Sequence, residues 1–464
     1  MEITPLAGYR YNLAKIGNLD DVIAPPYDVI DEKFQDELYR KHPNNVIRLI
    51  LEKMYPTDSA VDNRYTRTAK TLAAWKENDI LLQDKRPAIY VYHQIYTVLD
   101  SEGKSKEYTR KGFMCGCRAV PFGYGMVYPH EITMSGPKLD RLMLRTACKM
   151  NFSQIFGLYP DKDAVSDTAH KSDGGVGGGV QSILEDALVQ GKYTESASAT
   201  DHLGVVSKMW VVEDEEIIKQ VVAAMAPKPI FIADGHHRYE TACNYRQQLD
   251  DMGLLNSEHP ANYVLMVCVA MEDPGLIVLP THRLFPVPAD GKEIGTGLPV
   301  LTSKELAARL DGCFKLEHVG DGVSDAPKVW QRIEQEQRQD AIGLYTPKDG
   351  CWSLTSLTEA GKAKMDDIAQ DHHPEWRELG VSLLHRLIVE TLLEVPEPPK
   401  PEYVHLVDEV MSELRTKDYS LAALVMPATV EHIRTLSLLG DRMPAKSTYF
   451  YPKLIAGFVF NPLE

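Results

Sequence analysis

The residues most able to do chemistry lie in the run Phe231-Ile232-Ala233-Asp234-Gly235-His236-His237-Arg238-Tyr239-Glu240-Thr241-Ala242. An apolar strand stops at a glycine and turns at once into a helical pattern. A helix N-terminus offers unpaired backbone N–H groups and the positive end of the helix dipole. Glycine lets the backbone approach a ligand closely. Arg238 adds a forked cation suited to phosphate. Asp234, Gly235, His236, His237 and Arg238 therefore form a candidate anion site. The competing reading is an ordinary helix start: Asp234 as cap, solvated histidines, and Arg238 paired with an acid.

Three further groups could complete such a site. Pro129-His130-Glu131-Ile132-Thr133, followed by Lys138, Asp140 and Arg141, has the residue types of phosphoryl transfer. Glu131 or His130 could take a hydroxyl proton, and Lys138 and Arg141 could neutralise transferred charge. A capped, salt-bridged helix start around Asp140 explains the same residues without chemistry. Asp28 follows Pro25-Pro26-Tyr27 in a stiff turn and suits a base, a metal ligand or a plain Asx-turn. Arg48 interrupts the strand-like apolar run Val46-Ile47-Arg48-Leu49-Ile50, where a cation needs a partner or a ligand. Lys446-Ser447-Thr448-Tyr449-Phe450-Tyr451-Pro452-Lys453 is dense in donors for phosphate or carboxylate, or else is an edge strand with exposed lysines.

No metal-ligating motif supports zinc. Adjacent histidines diverge, and neither HExxH nor CxxC occurs. No resident protein-bound metal is expected; magnesium carried by a nucleotide needs only one or two carboxylates. The seven cysteines have no framework spacing, and Cys115-Gly116-Cys117 has no second pair near it in sequence, so reduced thiols and a cytoplasmic setting are expected. With 50 basic against 66 acidic residues the net charge is -16, which disfavours nucleic acid as a partner. The N-terminus lacks a basic start and an apolar run, and no stretch approaches the roughly 20 apolar residues of a membrane span.

The elements that must position these groups are mixed α and β. Helical spacing is read over Asn63–Asn78, Asp140–Met150, Glu213–Ala226, Tyr239–Leu249, Ser303–Leu310, Val329–Gln337 and Val381–Leu393. Strands are read at Ala88–Tyr92 and Tyr108–Arg118, joined by a hairpin turn at Asp100–Lys104. Others are Asn151–Tyr159, Trp210–Val212, Pro229–Ala233, Tyr263–Val269, Leu276–Arg283, Ser447–Tyr451 and Phe458–Phe460. Ser172–Val180 carries five glycines and reads as a flexible loop. The loose stretch Val287–Thr296 is the best boundary. It divides the 464 residues into 1–285, carrying the phosphate-binding turn, and 286–464, an α+β region whose lysine loop folds back to complete the site.

The Gly-His-His-Arg turn resembles the G-x-x-R signature of the ParB/sulfiredoxin superfamily, in which this turn holds nucleotide phosphates and some members are free serine kinases. The whole chain resembles the domain-of-unknown-function 1015 family. The resemblance rests on Ala24-Pro25-Pro26-Tyr27-Asp28-Val29-Ile30, Asn45-Val46-Ile47-Arg48-Leu49, His130-Glu131-Ile132-Thr133, Lys138-Leu139-Asp140-Arg141, Asp234 through Ala242, Thr281-His282-Arg283-Leu284 and Met443 through Lys453. Gln154 after Ser153, Ala445 before Lys446, and the glycines near 174–179 depart from the family pattern. The resemblance implies an α/β fold with a ParB/sulfiredoxin-like core. It implies a nucleotide-dependent phosphotransferase acting on a small hydroxyl-bearing metabolite, with free serine as substrate and ADP or ATP with Mg as donor. Asp234 to Arg238 would hold phosphates and Glu131 would be the base, with Asp28 and His130 as further catalytic candidates. Arg48, Lys138, Asp140, Arg141, Lys446, Ser447 and Thr448 would steady substrate and charge. A phosphatase of a phosphorylated amino acid and a non-catalytic nucleotide sensor are the rival readings. DNA binding of the ParB kind is disfavoured by the charge, and a sulfiredoxin-type reductase by the lack of a cysteine in the turn. Oligomeric state is open.

Overall fold

A computed structural model describes residues 1–99, 104–133, 135–161, 179–287 and 297–464. Most strands of the first half read as apolar runs, because both faces of their sheet are covered. In Ile230–Asp234, Ile230 and Ile232 enter one apolar cluster while Phe231 and Ala233 enter the other. Tyr263–Ala270 divides in the same way, with Val264, Met266 and Cys268 on one face and Leu265, Val267 and Val269 on the opposite one. This period of two is the geometry of the pleat.

The sheet has nine strands. Their order is Val127–Tyr128, Ile230–Asp234, Ile155–Tyr159, Tyr263–Ala270, Ser105–Arg118, Ile89–Leu99, Val206–Val212 and Glu195–Thr200, with Ile3–Thr4 paired to Ser105–Arg118. Parallel and antiparallel pairs are mixed: Ile230–Asp234 runs parallel to Val127–Tyr128 and antiparallel to Ile155–Tyr159. Helices Val180–Val189 and Glu215–Met225 bury Leu184, Ile217 and Val221 on one face.

A second, six-stranded antiparallel sheet has the order Phe314–Asp321, Cys351–Leu357, Gly343–Thr346, Tyr419–Leu424, His282–Pro286 and Glu402–Val404. One continuous apolar cluster joins it to the first sheet, running from Leu6 through Phe231 and Phe285 to Phe460. The expected mixed α/β class is what the structure shows.

Several elements differ from the sequence reading, each for a local reason. Leu276–Arg283 is two strands: Ile277–Leu279 pairs with Tyr449–Tyr451, and His282–Pro286 belongs to the six-stranded sheet. Pro280 between them has no N–H to give a ladder. Val46–Ile50 is not strand-like but carries a short helix, Ile47–Ile50. Five apolar-rich residues cannot separate the two periods, and Asn45 decides the matter, its Oδ1 accepting from the Ile47 N–H at 2.9 Å. Phe458–Phe460 forms only an isolated bridge, Phe460 to Tyr9. The helix expected over Val381–Leu393 begins at Gly380 and continues as a π-helix over Leu383–Leu392. The tip of the 100–104 hairpin, the glycine-rich stretch up to 178 and the loose stretch 288–296 lie outside the described residues. No helix among the described residues is long and apolar enough to cross a membrane.

Candidate functional site

The strand Ile230–Asp234 ends at Gly235, whose φ of 94° lies in the left-handed region, and helix His236–Asp251 starts directly after it. No side chain caps this helix. Asp234, the cap in the competing reading, is turned elsewhere: Oδ1 accepts from Lys453 Nζ at 2.7 Å, and Oδ2 from Arg238 at 2.7 Å. The 16-residue helix thus begins without a side-chain cap at its positive end. Burial alone would raise the Asp234 pKa, but Lys453 and Arg238 outweigh it and hold the carboxyl well below the usual range. Arg238 also donates to the Gln154 carbonyl at 2.5 Å and to Ser153 Oγ at 3.2 Å. Its guanidinium therefore ties the turn to the neighbouring strand.

Gly235 is required twice over. A Cβ there would stand 2.9 Å from an Arg238 nitrogen, and the backbone is left-handed. Gly235→Ala is expected to cost about 1–2 kcal/mol from the backbone conformation alone, read as a lower unfolding midpoint. An unchanged midpoint would mean that the turn relaxes freely.

The loop after Val127–Tyr128 brings His130 and Glu131 against this helix start. The His130 backbone N–H donates to His236 Nε2 at 3.3 Å. His130 Nδ1 lies 2.8 Å from the Ile232 carbonyl, which can only accept, so Nδ1 carries the proton. Its Nε2 then accepts from Thr448 Oγ1 at 2.8 Å. Fully buried, His130 has its pKa pushed down to about 4 by desolvation. Desolvation, and then His130 itself, lower that of His236 further. Glu131 Oε2 lies 3.8 Å from His236 Nδ1, too long for a hydrogen bond. Its side chain keeps 26% of its surface exposed. Burial raises the Glu131 pKa to about 6; Lys446 and Lys453 oppose the shift, and Asp234 and Asp28 add to it. Asp28 itself is exposed on the short 3-10 helix Tyr27–Val29.

The C-terminal segment supplies the rest. The Met443 N–H donates to the His130 carbonyl at 2.9 Å. Lys446 has a left-handed φ of 56°, and its carbonyl accepts from the buried Arg283 at 2.8 Å. Its side chain is exposed beside Glu131. Ser447 Oγ donates to the Pro444 carbonyl at 2.5 Å and shapes the loop. Lys453 sits 4.7 Å from the centre of the Tyr449 ring.

Other expected residues are placed differently. Lys138 pairs with Glu240 at 3.1 Å, an acid that also accepts from Thr133. Asp140 accepts from Tyr65 at 2.7 Å and pairs with Arg64 and Arg141. Burial would raise its pKa, but these cations prevail and lower it. Arg141 also donates to the Ile50 carbonyl at 2.7 Å and lies over the Tyr27 ring at 4.1 Å. Arg48 stacks over Tyr39 at 4.2 Å and donates to its carbonyl at 3.1 Å, so its partner is within its own neighbourhood. The structure thus gathers Glu131, His130, Asp234, His236, Thr448, Lys446 and Asp28 around one turn. It ties Arg48, Lys138 and Asp140 into local pairs.

Sequence reasoning passed over Lys453 as a site residue; the signal was the second lysine of the 446–453 run. It also missed that Cys268 joins Cys115 and Cys117. The Cys117 Sγ lies 3.8 Å from that of Cys115 and 3.7 Å from that of Cys268, all three buried in the sheet. All seven cysteines are free thiols.

No curated protein matches the chain. Among solved structures, a free serine kinase variant in complex with AMP is 12% identical, with a TM-score of 0.30, over 70% of this chain and 84% of that one. Another variant of a free serine kinase, in complex with ADP, is 13% identical, with a TM-score of 0.29 and the same coverage. A conserved hypothetical protein from Pyrococcus furiosus is 11% identical, with a TM-score of 0.31, over 72% of this chain and 91% of that one. The model of the family described as "Protein of unknown function (DUF1015)" matches residues 3–382, and the chain belongs to that family.

Proposed function

We propose that the protein is a nucleotide-dependent phosphotransferase acting on a small hydroxyl-bearing metabolite, with free serine the first candidate. One arrangement carries the reading. An uncapped helix N-terminus behind the left-handed Gly235 is faced by a partly buried carboxyl, Glu131, and by the Lys446 and Lys453 amines. Such a helix start holds phosphate oxygens, and phosphoryl transfer needs mainly positioning and charge stabilisation.

In this reading Glu131 accepts the hydroxyl proton of the acceptor. The acceptor oxygen bonds to phosphorus, and the bond from phosphorus to the nucleotide's leaving oxygen breaks. A carboxyl with a pKa near 6 is close to the best value for a base at neutral pH. Lys446 steadies the transferred charge. His130, the other proton acceptor expected from sequence, has both ring nitrogens engaged and acts here as a positioning residue. Asp234 and Arg238 shape the turn, whose backbone N–H groups meet the phosphates. Magnesium bound to a nucleotide needs one or two protein carboxylates. Asp28, whose charge reaches Glu131, would hold it, and it would neutralise phosphate charge.

Thermal unfolding with ADP, ATP, AMP, pyrophosphate, serine and phosphoserine, each with and without magnesium, tests the binding step. A ligand at about 100 times its Kd stabilises the folded state by roughly 2.7 kcal/mol. A nucleotide is expected to raise the midpoint, and Lys446→Ala to weaken its affinity by tenfold or more, since a hydrogen bond to a charged group is worth about 1.5–3 kcal/mol. No response to any phosphate compound would sink the proposal.

A further inference from the structure

Behind Arg238 lies a cavity of 40 Å³ whose lining includes Arg141, Arg145, Arg238, Asn151, Ser153 and Thr241. It contains three guanidinium groups and no acid. Two of the three are already neutralised, Arg141 by Asp140 and Arg238 by Asp234. Arg145 is not. It is only 8% exposed, and among the described residues its side chain has no hydrogen bond and no ion pair. The groups whose fields reach it are Cys243 and Tyr245, neither of them an acid at neutral pH in this setting: burial pushes the Cys243 thiol up to about 12 and raises the Tyr245 phenol.

A buried cation without a partner is expensive, and native interiors pair such groups or give them an anion. The unpaired guanidinium presents several N–H donors in one plane. It calls for an acceptor with several oxygens and a negative charge. A buried water occupies about 10–15 Å³ of such space, so the cavity takes about three waters or one small oxyanion in their stead.

We propose that this cavity is a binding site for a small oxyanion, held by Arg145 and bordered by Arg141 and Arg238. The anion is a free phosphate or the carboxylate of a small acid; both offer the same acceptor chemistry. The site lies one side chain behind the Gly235 turn, because Arg238 both lines it and anchors that turn.

The test is calorimetric titration and thermal unfolding of the full chain with sodium phosphate and with sodium acetate, against sodium chloride at equal ionic strength. Phosphate, or acetate if the carboxylate is the natural occupant, is expected to bind the wild type and raise its midpoint. Arg145→Met is expected to weaken that binding at least tenfold. Arg145→Lys keeps the positive charge and is expected to retain a measurable anion response, which guards against misreading a misfolded Arg145→Met variant. No response beyond chloride in the wild type, or an undiminished response in Arg145→Met, overturns the proposal. ADP is titrated in parallel: loss of the ADP response alone counts against the nucleotide reading and leaves this site standing.

Discussion

Glu131→Gln is expected to lower phosphoryl transfer to a hydroxyl acceptor by about 10²–10⁴, the usual contribution of a positioned general base, while nucleotide affinity is kept. The amide preserves the shape of the side chain and removes only its ability to take a proton. The pH profile gives a second handle. Glu131 works as a base only when ionised, and burial has raised its pKa to about 6. The kcat/KM of the wild type should therefore be level above that value and fall tenfold per pH unit well below it. The Gln variant should lose this limb. Steady-state turnover of serine with ADP or ATP, measured from pH 5 to 8, reads both effects. Unchanged turnover in Glu131→Gln would remove Glu131 from the mechanism. Nucleotide binding without turnover of any acceptor would favour a sensor. Release of phosphate from phosphoserine with no nucleotide needed would favour a phosphatase, in which water takes the acceptor's place.

The Gly235 turn was legible because its signals are local. A strand-length apolar run, a glycine and a helical period meet within a dozen residues, and the left-handed Gly235 is what that order demands. The two-sided burial of Ile230–Asp234 was legible for the same reason. What sequence could not supply were partners distant along the chain. Asp234 reads as part of an anion site or as a helix cap, because both roles suit an aspartate at a strand-to-helix turn. Its real partner, Lys453, lies 219 residues away. His130 reads as a proton acceptor because imidazole titrates near neutrality. Its actual role depends on Thr448, 318 residues away, and on complete burial. Arg48 reads as a cation in search of a ligand, yet Tyr39 nine residues earlier meets it once the chain turns helical rather than extended. Arg145 raised no signal, because arginine in a helix is common and only its neighbours make it unpaired.

Asp234→Ala is expected to cost about 3–5 kcal/mol, the penalty of breaking a buried ion pair by removing one partner. The Lys453, Arg238 and Asp234 side chains keep only 16%, 11% and 19% of their surface. Deleting the carboxylate leaves two cations facing each other in a space built for one anion between them. The same group sets an acid limit. Its folded pKa is depressed, so its stabilisation is complete above the unfolded carboxyl value of 3.8 and is lost as pH falls through the lower folded value. Wild type and variant should therefore differ fully in urea unfolding at pH 7 and converge in strong acid. Lys453→Met in the Asp234→Ala background should recover part of the loss, because it removes one of the two stranded charges. The cycle of single and double variants isolates the pair. Additive losses would show that Lys453 and Asp234 do not act together. A coupled loss, accompanied by faster proteolysis within 443–453, would show that this ion pair fastens the C-terminal segment to the turn. The distinction matters because that segment carries Thr448 to His130 and Lys446 to Glu131. If the segment is released, Glu131 loses both the burial that raises its pKa and the lysines that oppose the rise; burial is the larger influence, so the acid limb of the pH profile should shift toward that of an ordinary carboxylate.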